Sequence, residues 1–288
     1  MLFPHDWTAW DREDGAAVDA AAVAQLESGG ILLFPQLAFE VRAAERDFFV
    51  PSMAIAKNVS FDPASGRVGG ARATGDEAVA LGSWLRRFSD SAAALVDAAL
   101  PDYRGRLERG RASFRPAEIA GRQTSWRHDD TRLHVDSFPA TPVQGRRILR
   151  VFTNVNPEGR PRTWRVGEAF DRVALRFHGR FRLPFPLTAA VLRAVRITKT
   201  RRSPYDTLML QLHDLMKADG AYQASAVQTE VSFSAGSTWV AFTDAVSHAA
   251  TSGQYQLEQT FLLPVEAMLQ PEASPLRILE RLTRRPLV

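Results

Sequence analysis

Thr131-Arg132-Leu133-His134-Val135-Asp136-Ser137-Phe138-Pro139 is the stretch on which the fold turns. In an extended chain, side chains two apart leave the backbone on the same side, so His134 and Asp136 project together from one face of a strand. A second imidazole folded towards that pair gives an ion three protein ligands on one side and leaves the other side open. His248, in Thr243-Asp244-Ala245-Val246-Ser247-His248, is placed in sequence to be that third ligand. Asp136 and His248 are 112 residues apart, a gap expected when ligands come from opposite ends of a jelly roll.

The sequence around this core alternates in character. Gly15 to Glu27 is Ala-rich and helical, stopped by Ser28-Gly29-Gly30, and Ile31-Leu32-Leu33-Phe34 reads as a buried strand ended by Pro35. A second helix is predicted from Glu40 to Phe49, and a Gly-, Pro- and Ser-rich loop or lid from Pro51 to Gly75. Apolar residues at helical spacing, including Leu81, Trp84, Leu85, Phe88, Ala92 and Leu95, predict a long helix from Asp76 to Ala99 packed on a sheet. Strands follow at Arg111–Arg115, Arg132–Phe138, Arg147–Asn156 and Arg162–Gly167, then helices at Glu168–Phe181, Leu187–Ile197 and Thr207–Ala218. Strands return at Thr229–Phe233, Ser237–Phe242 and Tyr255–Leu263, with Ala249-Ala250-Thr251-Ser252-Gly253 as a small-residue turn after His248, and Ala273 to Val288 closes as an amphipathic helix. These elements predict an α+β fold, a double-stranded β-helix or jelly roll with supporting N-terminal helices and a helical insertion. One domain over 1–288 is expected: helical support to about residue 100, the jelly roll from 101 to 270 with its insertion near 168–218, and the tail helix from 271.

With 288 residues, 45% of them hydrophobic, the chain can bury a substantial core, and nothing in it reads as low complexity. It has no cysteine, which excludes disulfides, thiolate-bound zinc, iron–sulfur clusters and a Cys nucleophile, so any metal sits on nitrogen and oxygen. Met1 to Trp7 lacks the basic and apolar regions of a secretory signal, and the longest apolar run, Leu187 to Val195, is too short to span a bilayer; a cytoplasmic location is expected. Formal net charge is only +4, but Arg172 to Arg202 interleaves cations with aromatic and aliphatic residues. Such a surface suits an anionic partner or is an ordinary solvated basic face.

The triad His134, Asp136, His248 is the ligand set of non-haem iron(II) oxygenases, whose open positions take a chelating keto acid and dioxygen together. His128 is close enough to line the pocket but better suited to a turn hydrogen bond, and His213 reads as packing or support; His178 and His5 are not ligand candidates. The far carboxylate of a keto acid needs a cation, ideally a bidentate Arg. On the strand from Arg147, residues Arg150, Phe152, Asn154 and Asn156 share one face, a polar row suited to a barrel lumen. Arg150 is therefore the first candidate for the co-substrate clamp, with Arg162 and Arg127 behind it and Asn154 beside it; an exposed Arg on a half-solvated strand is the bland alternative.

Together with the triad, Gly145-Arg146-Arg147-Ile148-Leu149-Arg150-Val151-Phe152-Thr153-Asn154, Trp164-Arg165-Val166-Gly167-Glu168, Tyr205-Asp206-Thr207-Leu208-Met209-Leu210-Gln211-Leu212-His213-Asp214 and Ser252-Gly253-Gln254-Tyr255 carry a more specific signal. The chain resembles the 3-deoxy-D-manno-oct-2-ulosonic acid (Kdo) hydroxylases over most of its length. The resemblance implies an iron(II)- and 2-oxoglutarate-dependent dioxygenase that hydroxylates C3 of Kdo in the lipopolysaccharide inner core, giving D-glycero-D-talo-oct-2-ulosonic acid. It further implies iron held by His134, Asp136 and His248, succinate and carbon dioxide as coproducts, and Kdo-lipid A met at the cytoplasmic membrane face, where Arg side chains grip carboxylate and phosphates. Many oxygenases of the wider superfamily carry an Arg or Lys on the strand after the distal His. Here that strand reads Tyr255-Gln256-Leu257-Glu258-Gln259-Thr260, in which Gln259 offers a hydrogen bond without charge, so the cation must come from elsewhere.

Competing readings are an oxygenase for another anionic sugar or lipid, and a jelly roll that binds anionic glycan without turnover. A nucleic-acid enzyme ranks below both, because the basic stretch lacks a reader motif.

Overall fold

The computed structural model describes residues 2–11, 17–183 and 201–288. The helix anticipated at 187–197 lies outside them. The chain begins with β1 (Leu2–Pro4), α1 (Ala20–Glu27), β2 (Ile31–Phe34), a 3-10 turn at Ala43–Phe48, and the short strands β3 (Val59–Phe61) and β4 (Val68–Gly69). Then come α2 (Gly75–Ala99), β5 (Glu108–Arg115), β6 (Arg147–Asn154), β7 (Arg162–Val166) and α3 (Phe170–Phe177). After the helices α4 (Pro204–Ala218) and α5 (Gly220–Ser225) follow β8 (Thr229–Phe233), β9 (Thr238–Phe242), β10 (His248–Ser252), β11 (Gln256–Leu263) and α6 (Pro275–Thr283).

Two sheets form the jelly roll. The larger has the order β1-β2-β9-β6-β11-β5-β3-β4 and the smaller β10-β7-β8. Pairing is antiparallel throughout except for β1 on β2. The sheets press together an interior of Phe152, Trp164, Phe233, Trp239, Val231 and Ala250, within which Phe233 stacks on Trp239 at 4.0 Å between ring centroids. On its outer face the larger sheet is covered by α2, whose Trp84, Leu85, Phe88, Ala92 and Leu95 are buried at the spacing the periodicity predicts.

Three differences from the sequence reading have physical causes. The loop expected over 51–75 contributes β3 and β4, which extend the large sheet from β5. Arg132–Phe138 is not a continuous strand: His134 alone pairs, with His248, through two backbone hydrogen bonds of 3.0 and 2.9 Å. The run Ala249–Ser252, expected as a turn, is strand β10. Its small side chains fit there because Ala250 lies opposite Trp164 in the pair and both are buried in one close-packed apolar cluster. The turn comes one step later, at Gly253 and Tyr255, both with positive φ.

Candidate active site

His134 and Asp136 stand on a segment clipped to β10 and β9's end by backbone bonds. The His134 pairing holds one side, and Asp136 N–H donates to the Thr243 carbonyl at 2.8 Å. The register sets His134 directly beside His248, with ring centroids 4.6 Å apart. One ligand atom from each of His134, Asp136 and His248 can be chosen so that all lie within 4.8 Å of one another.

Each imidazole is locked by its other nitrogen. His134 Nδ1–H donates to the Arg132 carbonyl at 2.7 Å, and His248 Nδ1–H donates to the Val246 carbonyl at 2.8 Å. Both Nε2 atoms are thereby lone-pair donors, the tautomer a metal requires. Burial lowers the pKa of both rings, most for His134, where the neighbouring His248 and Lys217 charges add to it. The Trp164 indole stacks on His248 at 4.9 Å and fixes the ring plane. Burial, the largest influence, would raise the Asp136 carboxyl, but the Arg150 guanidinium, the two imidazoles and Thr243 together outweigh it and hold the carboxyl well below the ordinary range. Asp136 Oδ2 is buried and makes no hydrogen bond. Two neutral imidazoles with free Nε2 and an ionised carboxylate whose Oδ2 accepts no hydrogen bond fit a divalent ion; Arg150 Nη1 stands 3.4 Å from that oxygen as an ion-pair partner.

The triad opens on a cavity of about 460 Å³. Of the residues singled out in the sequence, Arg150, Arg162 and Arg127 line it. Arg150 is engaged: its Nη1 lies 3.4 Å from Asp136 and 3.6 Å from Glu258. Arg162 is buried, donates to the Gly253 carbonyl at 2.8 Å, and keeps an unpartnered Nε. Burial first and then Arg115 lower its pKa to about 9, so it is still charged at neutral pH. Arg127 lies at the mouth, 3.3 Å from Asp214 and over the Trp126 ring at 4.2 Å.

Two residues do not reach the cavity. Asn154 shares the inward face of β6 but lies past its deep end, donating to the Arg160 and Phe233 carbonyls and accepting from Asn156 N–H. Gln259 points the other way, towards α2, where it accepts from Ser89 Oγ and donates to Gly110 O. Strand alternation explains this: Gln256 and Glu258 of β11 face the cavity, so Gln259, one step beyond Glu258, faces away from it.

The sequence reading passed over Lys57, Arg115, Asp130, Glu258 and Lys217, all lining the cavity. Asp130 gathers Lys57 at 2.5 Å and Arg122 at 2.9 Å, while Arg115 forks onto Glu258 through two bonds of 2.9 Å. His213 stands edge-on to His134 with centroids 5.4 Å apart and bonds Asp214 at 2.9 Å, a supporting place rather than a ligand's. His128 lines the mouth and also makes its turn bond to Ser125 Oγ at 2.9 Å. Leu210, His213, Asp214 and Lys217 stand at i, i+3, i+4 and i+7 of α4, and this stripe was the available signal for Lys217.

A jelly roll with an open-faced pair of imidazoles and one carboxylate at the mouth of its barrel defines the class of non-haem iron oxygenases. The family model of 3-deoxy-D-manno-oct-2-ulosonic acid (Kdo) hydroxylase matches residues 9–286, and the chain belongs to this family. Among solved structures it is similar to the Kdo hydroxylase KdoO, a non-haem Fe(II) α-ketoglutarate-dependent dioxygenase, in complex with α-ketoglutarate and Fe(III). Identity is 42%, coverage is 100% of this chain and 97% of that one, and the TM-score is 0.95. The apo form of KdoO gives the same values, and its complex with succinate and Fe(III) has a TM-score of 0.94 at the same identity and coverage. A search of curated proteins finds no match.

Proposed function

We infer that the chain hydroxylates Kdo, adding one oxygen at C3 to give D-glycero-D-talo-oct-2-ulosonic acid, with iron(II), 2-oxoglutarate and dioxygen. The observation that carries the reading is the convergence of His134, Asp136 and His248 on a cavity that also contains a buried Arg162 with no carboxylate partner among the described residues. Iron(II), when bound, supplies the centre at which 2-oxoglutarate and dioxygen are activated together. His134 and His248 hold it through Nε2 and Asp136 through a carboxylate oxygen.

Arg162 takes the distal carboxylate of 2-oxoglutarate. Arg150, the first candidate by strand parity, already has Asp136 and Glu258 for counter-ions, and its charge keeps the Asp136 carboxylate ionised. Trp164 and Phe152 wall the cavity with apolar surface, which limits water near the reacting atoms. The neighbouring groove, lined by Trp126, Arg127, Arg180 and Arg202, suits phosphates of a lipid A anchor. Among the described residues no helix is long and apolar enough to cross a membrane; the reading takes the contact with a lipid-linked substrate to be peripheral, at the cytoplasmic face.

The test is mass spectrometry of Kdo-lipid A incubated with the protein, iron(II), 2-oxoglutarate and oxygen. One added oxygen atom on the Kdo residue, with stoichiometric succinate, is the expected result. Succinate release that Kdo-lipid A does not stimulate, with no mass change, overturns the reading.

A further inference from the structure

We propose that Lys217 anchors the carboxylate of the sugar acid being hydroxylated and so selects substrates that carry one; the inference rests on the Kdo reading above. Lys217 is only 2% exposed, yet it lines the cavity. Among the described residues its ammonium makes one hydrogen bond, donating to the Arg127 carbonyl at 3.1 Å. An ammonium has three donors, and burying one without a counter-charge costs several kcal/mol on the order expected for a desolvated ion. Among the described residues no carboxylate comes within ion-pair distance of it.

The other cavity cations are accounted for, with one exception. Lys57 pairs with Asp130, Arg115 with Glu258, Arg150 with Asp136 and Glu258, and Arg127 with Asp214. Only Arg162 and Lys217 lack a carboxylate among the described residues. The proposed reaction brings two carboxylates that the protein must neutralise, the distal group of 2-oxoglutarate and the acid group of the sugar. The two cations stand on different walls, Arg162 on β7 in the barrel and Lys217 on α4, outside the strands. Lys217 lines the same cavity as the triad, about one helical turn from His213, whose ring stands edge-on to His134 at 5.4 Å. A carboxylate bound there holds the adjoining carbons of the sugar near the metal centre. His213 and Asp214, one turn earlier on the same stripe, offer hydrogen-bonding groups to the sugar hydroxyls.

The experiment compares Kdo-lipid A with its Kdo methyl ester as substrates of the wild type and of Lys217→Met, with 2-oxoglutarate titrated separately. Met keeps the length and apolar stem of the side chain and removes the charge. Lys217→Met raises KM for Kdo-lipid A by about 30-fold or more, the lower end for removing one partner of a buried charge pair. It leaves KM for 2-oxoglutarate unchanged, and it no longer distinguishes acid from ester, whereas the wild type prefers the acid by a similar factor. Lys217→Arg, which retains a cation, recovers part of that preference. The proposal is overturned if Lys217→Met still prefers the acid as the wild type does, or if the KM shift falls on 2-oxoglutarate. Thermal melting checks the fold of each variant, and Lys217→Gln replaces Lys217→Met if the latter does not fold. A wild type that leaves Kdo-lipid A unmodified removes the underlying reading, and this inference with it, which separates the two failures.

Discussion

The Nδ1 hydrogens of His134 and His248 already have backbone acceptors, so both rings enter metal binding in one tautomer and need not reorganise. His134→Ala or Asp136→Ala therefore abolishes iron-dependent release of succinate from 2-oxoglutarate while leaving the melting temperature close to that of the wild-type apoprotein. Retained succinate release in either variant refutes the ligand assignment. At the other end of the cavity, Arg162→Met raises the 2-oxoglutarate requirement by about 30-fold or more, read by titration in the same assay. If Arg150→Met produces that shift and Arg162→Met does not, the clamp belongs to β6. Parity along β6 put Arg150, Phe152 and Asn154 on one face, and the register confirms that face as inward. Parity does not show which inward cation is already neutralised. Arg150 meets Glu258, a residue of a strand more than a hundred positions away, and that partner was visible only once β6 and β11 were paired.

Helix α4 brings Leu210, His213, Asp214 and Lys217 to the cavity, and its start is fixed by a capping box. Ser203 Oγ accepts from Asp206 N–H, and Asp206 accepts from Ser203 N–H at 2.9 Å. The same carboxylate accepts from Val143 N–H at 2.8 Å and Gln144 N–H at 3.0 Å, tying the helix to the loop that follows the triad segment. Asp206→Ala leaves those donors unmet and is expected to cost about 1–3 kcal/mol, seen in urea unfolding. It should also raise KM for Kdo-lipid A more than KM for 2-oxoglutarate, because the displaced element is α4 rather than β7. The segment before the triad carries a pH response. Burial would raise the Asp130 carboxyl, but the charges of Lys57 and Arg115 override it and hold the pKa well below the ordinary value. A folded-state pKa below the unfolded one contributes stability above the unfolded pKa of about 4, and that contribution is lost as pH falls towards the folded value. Urea midpoints of the wild type should therefore fall between about pH 5 and pH 3, and Asp130→Asn should flatten that limb; an equal slope in both excludes Asp130 as its source. Elements with long periodic runs, α2 above all, were legible from sequence. Strand β10 was not, because Ala249 and Ala250 have the composition of a turn and become strand only against Trp164.

Across the whole molecule, the jelly roll was legible because its strands alternate and its triad demanded two ends of one barrel; the edge strands β3 and β4 were hidden in a Gly- and Ser-rich stretch. The outer core contains a buried ion pair, Arg147 to Asp244 at 2.8 Å, with exposures of 0% and 1%. The Arg147 guanidinium also covers the Phe242 ring at 4.1 Å. Arg147→Met leaves the Asp244 carboxyl buried without its partner and is expected to lower stability by about 3–5 kcal/mol, whereas Arg147→Met with Asp244→Leu should recover most of that loss. Equal unfolding midpoints for the single and double variants would show that the unpaired Asp244 carboxyl is not the source of the loss. The backbone clasp between His134 and His248 has a consequence for biosynthesis. On the ribosome, the first two donors emerge long before the third, and no seat for the ion exists until β10 has closed beside them. On the proposed ligand assignment, iron loading accordingly waits until residue 248 has been made and paired, and a nascent polypeptide stalled short of it lacks the third donor of this site.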